Sequence, residues 1–236
     1  MKYFLTLLFA TSLCFTAKSQ VWFDAGIKGA YGPTLMLDKN IFDSGNYKHR
    51  ITAGHAIGGR LGVNFGYHAG VSLEYMSAKS KQDFDFSNDA HSRFIWKHND
   101  FMLLFRYSGN GAYVEIGPKY SNMGGVTLTR YNPDVTTDVS SNFEKSYISG
   151  VLGFGSYLLG SELFTLNLGL RLHYAFDDMV TPAGKENFYP VEMDLTPDLT
   201  KKTVATAAQL QVEFNYAWGR FAKAACQNRW RLFLFQ

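Results

Sequence analysis

Cysteine is nearly absent from the 236 residues: there are only Cys14 and Cys226. Cys14 falls in an N-terminal segment that reads as a removable signal. The remaining chain then keeps one cysteine, which excludes an internal disulfide and any zinc site built on cysteine pairs. Proline is scarce at six residues, and five of them (Pro33, Pro133, Pro182, Pro190, Pro197) fall in polar stretches between patterned runs. Charged residues make up 18% and hydrophobic residues 46%, which excludes both a disordered chain and a polyelectrolyte binder. Beyond the N-terminus no window holds 18 consecutive apolar residues, so no further helical membrane span is expected. Metal-protease spacing of the HExxH kind is missing too.

Aromatic residues, by contrast, are plentiful: 20 Phe, 14 Tyr and 4 Trp, with 22 Gly beside them. Aromatics and glycines in this proportion suit strands joined by tight turns. Net charge is +3, but its location matters more than its sum. Arg220, Lys223, Arg229 and Arg231 give the C-terminal stretch +4 with no acid, and Lys2 and Lys18 add two at the other end. Removing both from +3 leaves 20–219 at −3, so the body is faintly acidic and no nucleic-acid partner is expected.

Residues 1–19 read as a signal peptide: Lys2, an apolar run of about 15 residues, then Ala17-Lys18-Ser19 with small residues placed for cleavage after Ser19. A lipid-anchored alternative fails because Leu13 precedes Cys14. Export across an inner membrane follows.

Period-two alternation dominates the rest. Eight runs carry it, at 21–31, 55–65, 69–79, 99–107, 112–121, 148–159, 164–176 and 203–218. The seventh is the clearest. Phe164, Leu166, Leu168, Leu170, Leu172, Tyr174 and Phe176 share one face, against Thr165, Asn167, Arg171 and His173. The sixth is glycine-rich and apolar on both faces, so alternation leaves its facing open. Pro118 lacks the N–H a ladder needs, and a bulge is the expected accommodation.

Connections sort into two kinds. Short turns follow the second, fourth and sixth runs (66–68, 108–111, 160–162), and long polar loops follow the odd ones, at about 33–53, 80–95, 122–146 and 178–202. A soluble sandwich has no reason to gather its long loops at one end. The pattern predicts an all-β chain, an eight-stranded antiparallel transmembrane β-barrel with short periplasmic turns and four long extracellular loops, occupying 20–219 of an outer-membrane protein.

In a closed barrel of eight strands the inward side chains fill the interior. Asp24, Lys28, Arg60, Glu74, Asp100, Arg106, Glu115, Lys119, Arg171 and Glu213 are predicted there, five acids against five bases, with His173 donating into the same polar network. Tyr31, Tyr75, Tyr107, Tyr120, Tyr174, Tyr216 and Trp218 fall near strand ends, as interface girdles require. The 220–236 tail is too short for another spanning pair. It reads as a periplasmic extension, either a partner-docking element through Arg229, Trp230, Arg231, Phe233 and Phe235 or a tail folded on the rim.

The segment Tyr113-Val114-Glu115-Ile116-Gly117-Pro118-Lys119-Tyr120-Ser121 resembles a strand of the PorT-like outer-membrane β-barrel proteins. Gly169-Leu170-Arg171-Leu172-His173-Tyr174 with Asp177-Asp178 resembles their penultimate strand, and the Cys226 tail is similar too. The resemblance implies a barrel and, for some members, association with the type IX secretion system. It brings no catalytic residues. A monomeric structural or interaction protein in outer-membrane lipid is the expectation, with no cofactor, no metal and no catalysis. Its partners would be periplasmic or secretion-machinery proteins met through the tail. A lipid A deacylase or acyltransferase is the enzymatic alternative, with His173 meeting Asp177 or a serine. A narrow small-solute channel is the other. His91 and His98, near Asp83, Asp85 and Asp89, read as a solvated loop rather than a metal site. Gly26, Gly29 and Gly32 lie on a strand with no following helix and make no phosphate loop.

Overall fold

The computed structural model describes residues 21–44, 47–66, 68–86, 91–131, 134–160, 163–190 and 198–218. Residues 1–19, expected to be a signal, and the 220–236 tail, with Arg229, Trp230, Arg231, Phe233 and Phe235, lie outside them.

Alternating apolar and polar side chains produce strands here because each face has a different solvent to satisfy. Eight long strands result: β1 (Val21–Asp38), β3 (Thr52–Phe65), β4 (Ala69–Phe86), β5 (His91–Gly109), β6 (Ala112–Tyr131), β8 (Ser146–Gly160), β9 (Phe164–Ala175) and β10 (Thr203–Trp218). Two short ones, β2 (Tyr47–Arg50) and β7 (Val135–Asp138), pair with β4 and β6 beyond the main sheet. The α-helical pieces are α1 (Lys39–Ser44) and α2 (Pro182–Glu186), and a 3-10 turn covers Ser140–Asn142, all in long connections.

Antiparallel neighbours run β1-β3-β4-β5-β6-β8-β9-β10, and β10 pairs back onto β1, so the sheet is a closed ring of eight strands. Its stagger can be read from the register. Starting at Val21, successive partners are Phe65, Ala69, Tyr107, Val114, Phe154, Leu170 and Leu210, and the circuit returns to β1 at Tyr31, ten residues on. Ten rises of about 3.3 Å against eight spacings of about 4.8 Å tilt the strands by about 41° from the barrel axis.

Outward positions are apolar and open: Ile27 is 70% exposed, Leu61 60% and Leu103 52%. Inward charged residues are sealed, with Lys28 at 2% and Glu115 and Glu213 at 1%. Such an inversion is unstable in water and is what a bilayer demands, since hydrocarbon solvates neither charges nor open strand edges. With the tilt included, Phe65, Phe164, Tyr216 and Trp218 fall at one rim of the apolar belt. Tyr31, Tyr75, Phe101, Tyr120 and Tyr174 fall at the other.

Three local features differ from the sequence expectation. The strands run past the predicted limits: much of 33–53, 80–95 and 122–146 is strand rather than loop, and Pro33 lies inside β1 opposite Ala53. The alternation simply continues, with Ser80, Gln82 and Phe84 inward on β4 and Phe94 and Trp96 inward on β5. Pro118 makes no bulge. Met102 pairs with Lys119 and Phe105 with Ile116, an unchanged register across the proline. The irregularity lies further along. Lys97 pairs with Gly125 and His98 with Met123, leaving Gly124 extra, and Gly125 takes a φ of 148° that suits only glycine.

The facing of the sixth predicted run is now plain. On β8, Tyr147, Ser149 and Val151 point in, while Ile148, Leu152 and Phe154 point out. Gly153 leaves room in the interior, since a Cβ there would stand 2.6 Å from Glu115 Cγ. At the short-turn end Asn110 and Gly111 both take positive φ (50° and 80°), the geometry of a two-residue hairpin turn.

The long-loop end is closed by its own apolar core. Met36, Phe84, Phe94, Trp96, Val126 and Leu128 from the strand extensions pack with Val139, Phe143, Met179 and Val180 from the connections. Phe94 meets Phe84, Phe143 and Tyr189 edge-on at 5.8–6.4 Å. At the other end Trp22 packs on Ala217 and donates its indole N–H to the carbonyl of Gly66 at 3.0 Å.

Candidate functional site

The interior is where this chain concentrates its polar chemistry, in two clusters. Strand parity alone places the members of the first: every second residue of a strand faces in, and these are the charged ones. Glu213 on β10 is its hub. Its carboxylate accepts from Arg60 Nη1 at 2.9 Å, from Arg106 Nη1 and Nη2 at 2.8 Å each, and from the amides of Asn167 (3.0 Å) and Asn215 (2.6 Å). Lys28 Nζ lies 2.8 Å from the same carboxylate and 2.7 Å from Glu74. Arg171 bridges Glu74, at 2.8 Å from Nη1, and Glu115, at 2.8 Å from Nε and through a second bond from Nη2. Arg106 also binds Glu115 at 2.8 Å and stacks over the Tyr113 ring at 4.2 Å. Asp24 completes the set, 3.5 Å from Arg60 and accepting from Asn64 at 2.8 Å.

Four carboxylates thus meet four cations. Neutrality matters because a buried unpaired charge costs several kcal/mol, while a matched, hydrogen-bonded set is tolerable.

The second cluster lies nearer the long-loop end, past an apolar layer of Met76, Met102 and Val151. Asp100 accepts from Ser121 at 2.7 Å and from Lys119 at 3.3 Å, and its Oδ1 lies 2.7 Å from His98 Nδ1. His98 Nε2 in turn lies 3.1 Å from Ser80 Oγ. Ser80, His98 and Asp100 therefore form a chain in the order of a nucleophile, a base and its orienting acid. His98 is buried on β5 and is not part of a solvated loop as the sequence suggested; His91 is outside, 2.7 Å from Asp85.

Of the eleven interior residues named from sequence, eight join the first cluster, and Asp100 and Lys119 pair in the second. His173 stands apart. It is buried, but its Nδ1 finds no hydrogen-bond partner among the described residues, and Asp177 is turned away to accept from the Ile148 amide at 2.8 Å. The His173–Asp177 pairing of the enzymatic alternative is therefore not formed. Ser80 was missed because 80–95 was read as loop, and His98 because the fourth run was started at Asn99. Extending the parity of 74, 76 and 78 by one step finds Ser80.

A cavity of about 20 Å³ adjoins the second cluster, lined by Ser80, Trp96, His98, Lys119, Tyr147 and His173. Such a space holds about one water molecule. A second concavity lies elsewhere, a groove of about 830 Å³ on the outer wall between Leu35, Ile116, Leu152, Leu172 and Phe176. Its lining is apolar and it faces the hydrocarbon. No group of three or more His, Cys, Asp or Glu side chains among the described residues is placed to hold a metal ion. In the connection after β7, the Ser140 hydroxyl and amide both donate to Asp138, which holds that carboxyl below the usual carboxylate range.

No family model matches the chain, and no curated protein matches it. Among solved structures the chain is similar to Neisserial surface protein A, at 11% identity over 82% of this chain and 96% of that one, with a TM-score of 0.41. It is also similar to Ail of Yersinia pestis, at 10% identity over 83% and 99%, with a TM-score of 0.39. A third is the outer membrane protein OprG of Pseudomonas aeruginosa, at 15% identity over 84% and 95%, with a TM-score of 0.38.

Proposed function

We propose that this chain is a monomeric outer-membrane β-barrel with a structural or protein-interaction role, long connections outside and short turns in the periplasm. The observation that carries the reading is a lumen occupied along its length beneath a lipid-facing apolar wall. Among the described residues, two ion-paired clusters, the apolar layer between them and the core above occupy the lumen. Eight strands are in any case too few to enclose a wide aqueous path. The narrow channel is therefore disfavoured, and the outer surfaces are left to do the work.

The finer part of the proposal is the partner. The PorT-like resemblance of 113–121 and the basic, aromatic tail both favour a periplasmic or secretion-machinery protein docking at the turn end. Covalent cross-linking in cells, detergent extraction and identification of co-purifying proteins tests it. A reproducible periplasmic companion, lost on removal of 220–236, is expected; a barrel that purifies alone at every cross-linker length argues against a partner.

The enzymatic alternative draws its support from Ser80, His98 and Asp100. Against it, Ser80 and His98 are 5% and 6% exposed and adjoin space for one water, so an acyl group has no approach. We assign the three residues to interior packing. Acyl transfer or deacylation by the purified protein that stops on Ser80→Ala would reverse that assignment.

A further inference from the structure

The outer face of β4 and β5 breaks the charge logic followed elsewhere. Going toward the long-loop end, the outward positions are Leu73, Tyr75, Ser77, Lys79 and Lys81 on β4, and Leu103, Phe101, Asn99 and Lys97 on β5. Lys79 and Lys97 are direct cross-strand partners, and Lys81 is two residues further on the same face. Like charges placed opposite each other across an antiparallel pair destabilise it. Among the described residues no salt bridge involves any of the three. The nearest outward acid, Asp83, is engaged by two bonds from Arg93, both at 2.7 Å. On the neighbouring strand His55 stands opposite Lys79 and adds no acid.

The height of this cluster is fixed by what lies below it. Tyr75 and Phe101 are cross-strand partners in ring contact at 5.2 Å, members of the rim girdle. The Tyr75 hydroxyl donates to Asn99 Oδ1 at 3.2 Å, which marks the apolar-to-polar boundary. Lys79 and Lys97 follow one outward position beyond that boundary, where headgroups sit against a girdle. Around the rest of the rim at comparable height the outward residues include Leu35, Phe176 and Ile148, and the Lys202 ammonium that reaches this level is already engaged, donating to the Phe176 carbonyl at 3.1 Å.

We infer that Lys79, Lys81 and Lys97 form a seat for the phosphates of a lipid headgroup in the leaflet at the long-loop end. The inference rests on the membrane reading above. A repulsive lysine pair is stable there because an anion lies between the ammonium groups, and lysine stems reach along the wall while their heads stay at the polar level. A lipid is favoured over a soluble anion because its acyl chains meet the apolar wall under Tyr75 and Phe101 at the same time.

The test uses the full chain folded in neutral detergent, with its unfolding temperature read from the gel-mobility shift of heated barrels. The additions are diphosphorylated lipid A, phosphatidylglycerol, phosphatidylcholine and inorganic phosphate. The first two are expected to raise Tm, and the last two to leave it unchanged. Lys79→Gln with Lys97→Gln should raise the lipid A concentration needed for the same Tm shift by about thirtyfold, about fivefold for each lysine. In neutral detergent alone Lys79→Gln should unfold no earlier than the parent, because repulsion is relieved. An undiminished lipid A response in the double variant overturns the inference, as does an equal response to inorganic phosphate. Should the double variant fail to fold, Lys97→Gln alone decides by the same criterion. Failure of the parent to insert into phosphatidylcholine vesicles would instead reject the membrane reading itself.

Discussion

Glu213 accepts more hydrogen bonds than any other interior carboxylate, from Arg60, Arg106, Asn167 and Asn215, with Lys28 beside it. Glu213→Gln keeps the shape and removes the charge, stranding cations in a sealed lumen. A loss of about 3–5 kcal/mol is expected, read from urea unfolding of the detergent-folded barrel followed by tryptophan fluorescence. Glycines offer a second comparison at the same scale. A side chain at Gly153 would collide with Glu115 and, through it, displace Arg171, whereas nothing lies within 4 Å of a Cβ at Gly29. Gly153→Val should abolish the compact, heat-modifiable gel band, and Gly29→Ala should leave it intact. The charge of each residue and its inward parity were legible in the sequence. Glu213 as the hub was not, since Arg60 and Arg106 lie on strands far from β10 in the chain and reach it only across the lumen.

At the scale of the element, β9 is the strand whose pattern predicted its facing without ambiguity, and Leu168 sits in its middle, 39% exposed on the lipid side. Leu168→Arg should cost about 2–4 kcal/mol in refolding into vesicles, because hydrocarbon offers the guanidinium no partner. Strand length was harder to read. Polar outward residues such as Lys81, Asp83 and Arg93 made 80–95 look like loop, although its inward positions include Phe84 and Phe94, with Trp96 just beyond. Above the membrane the outer face meets water, so its composition changes while the strand continues. Trp96 is the largest side chain of the core that these extensions build. Trp96→Ala should lower stability by about 3–5 kcal/mol, measured by the same urea titration, with the membrane-spanning part of the barrel still inserted.

For the molecule as a whole, closure and filling decide what it can do. The β1–β10 pairing removes every edge from the eight-stranded ring, and its ten-residue stagger sets a lumen that side chains can fill. Planar bilayers holding the purified protein should show no stable conductance steps. Trp96→Ala with Phe94→Ala should stay silent too, because the ion-paired layers below the apolar core remain in place. Sustained conductance in the parent would refute a filled lumen.

By itself the sequence determined the strand number, the inside and outside of seven of the eight strands, the neutrality of the interior and the grouping of long connections at one end. These follow from periodicity and composition, which are local properties of the chain. Only the tertiary structure decided the stagger, the hub at Glu213, the hydrogen-bonded order of Ser80, His98 and Asp100, the apolar core over the lumen and the facing of Lys79 toward Lys97. Each depends on which residues meet across strands, and that is set by the closed register rather than by any one segment. The glycines at 153 and 155 show the division most clearly. Their lack of a side chain hides their parity from the sequence, and only the bulk of Glu115 and Tyr113 opposite them reveals that they face inward.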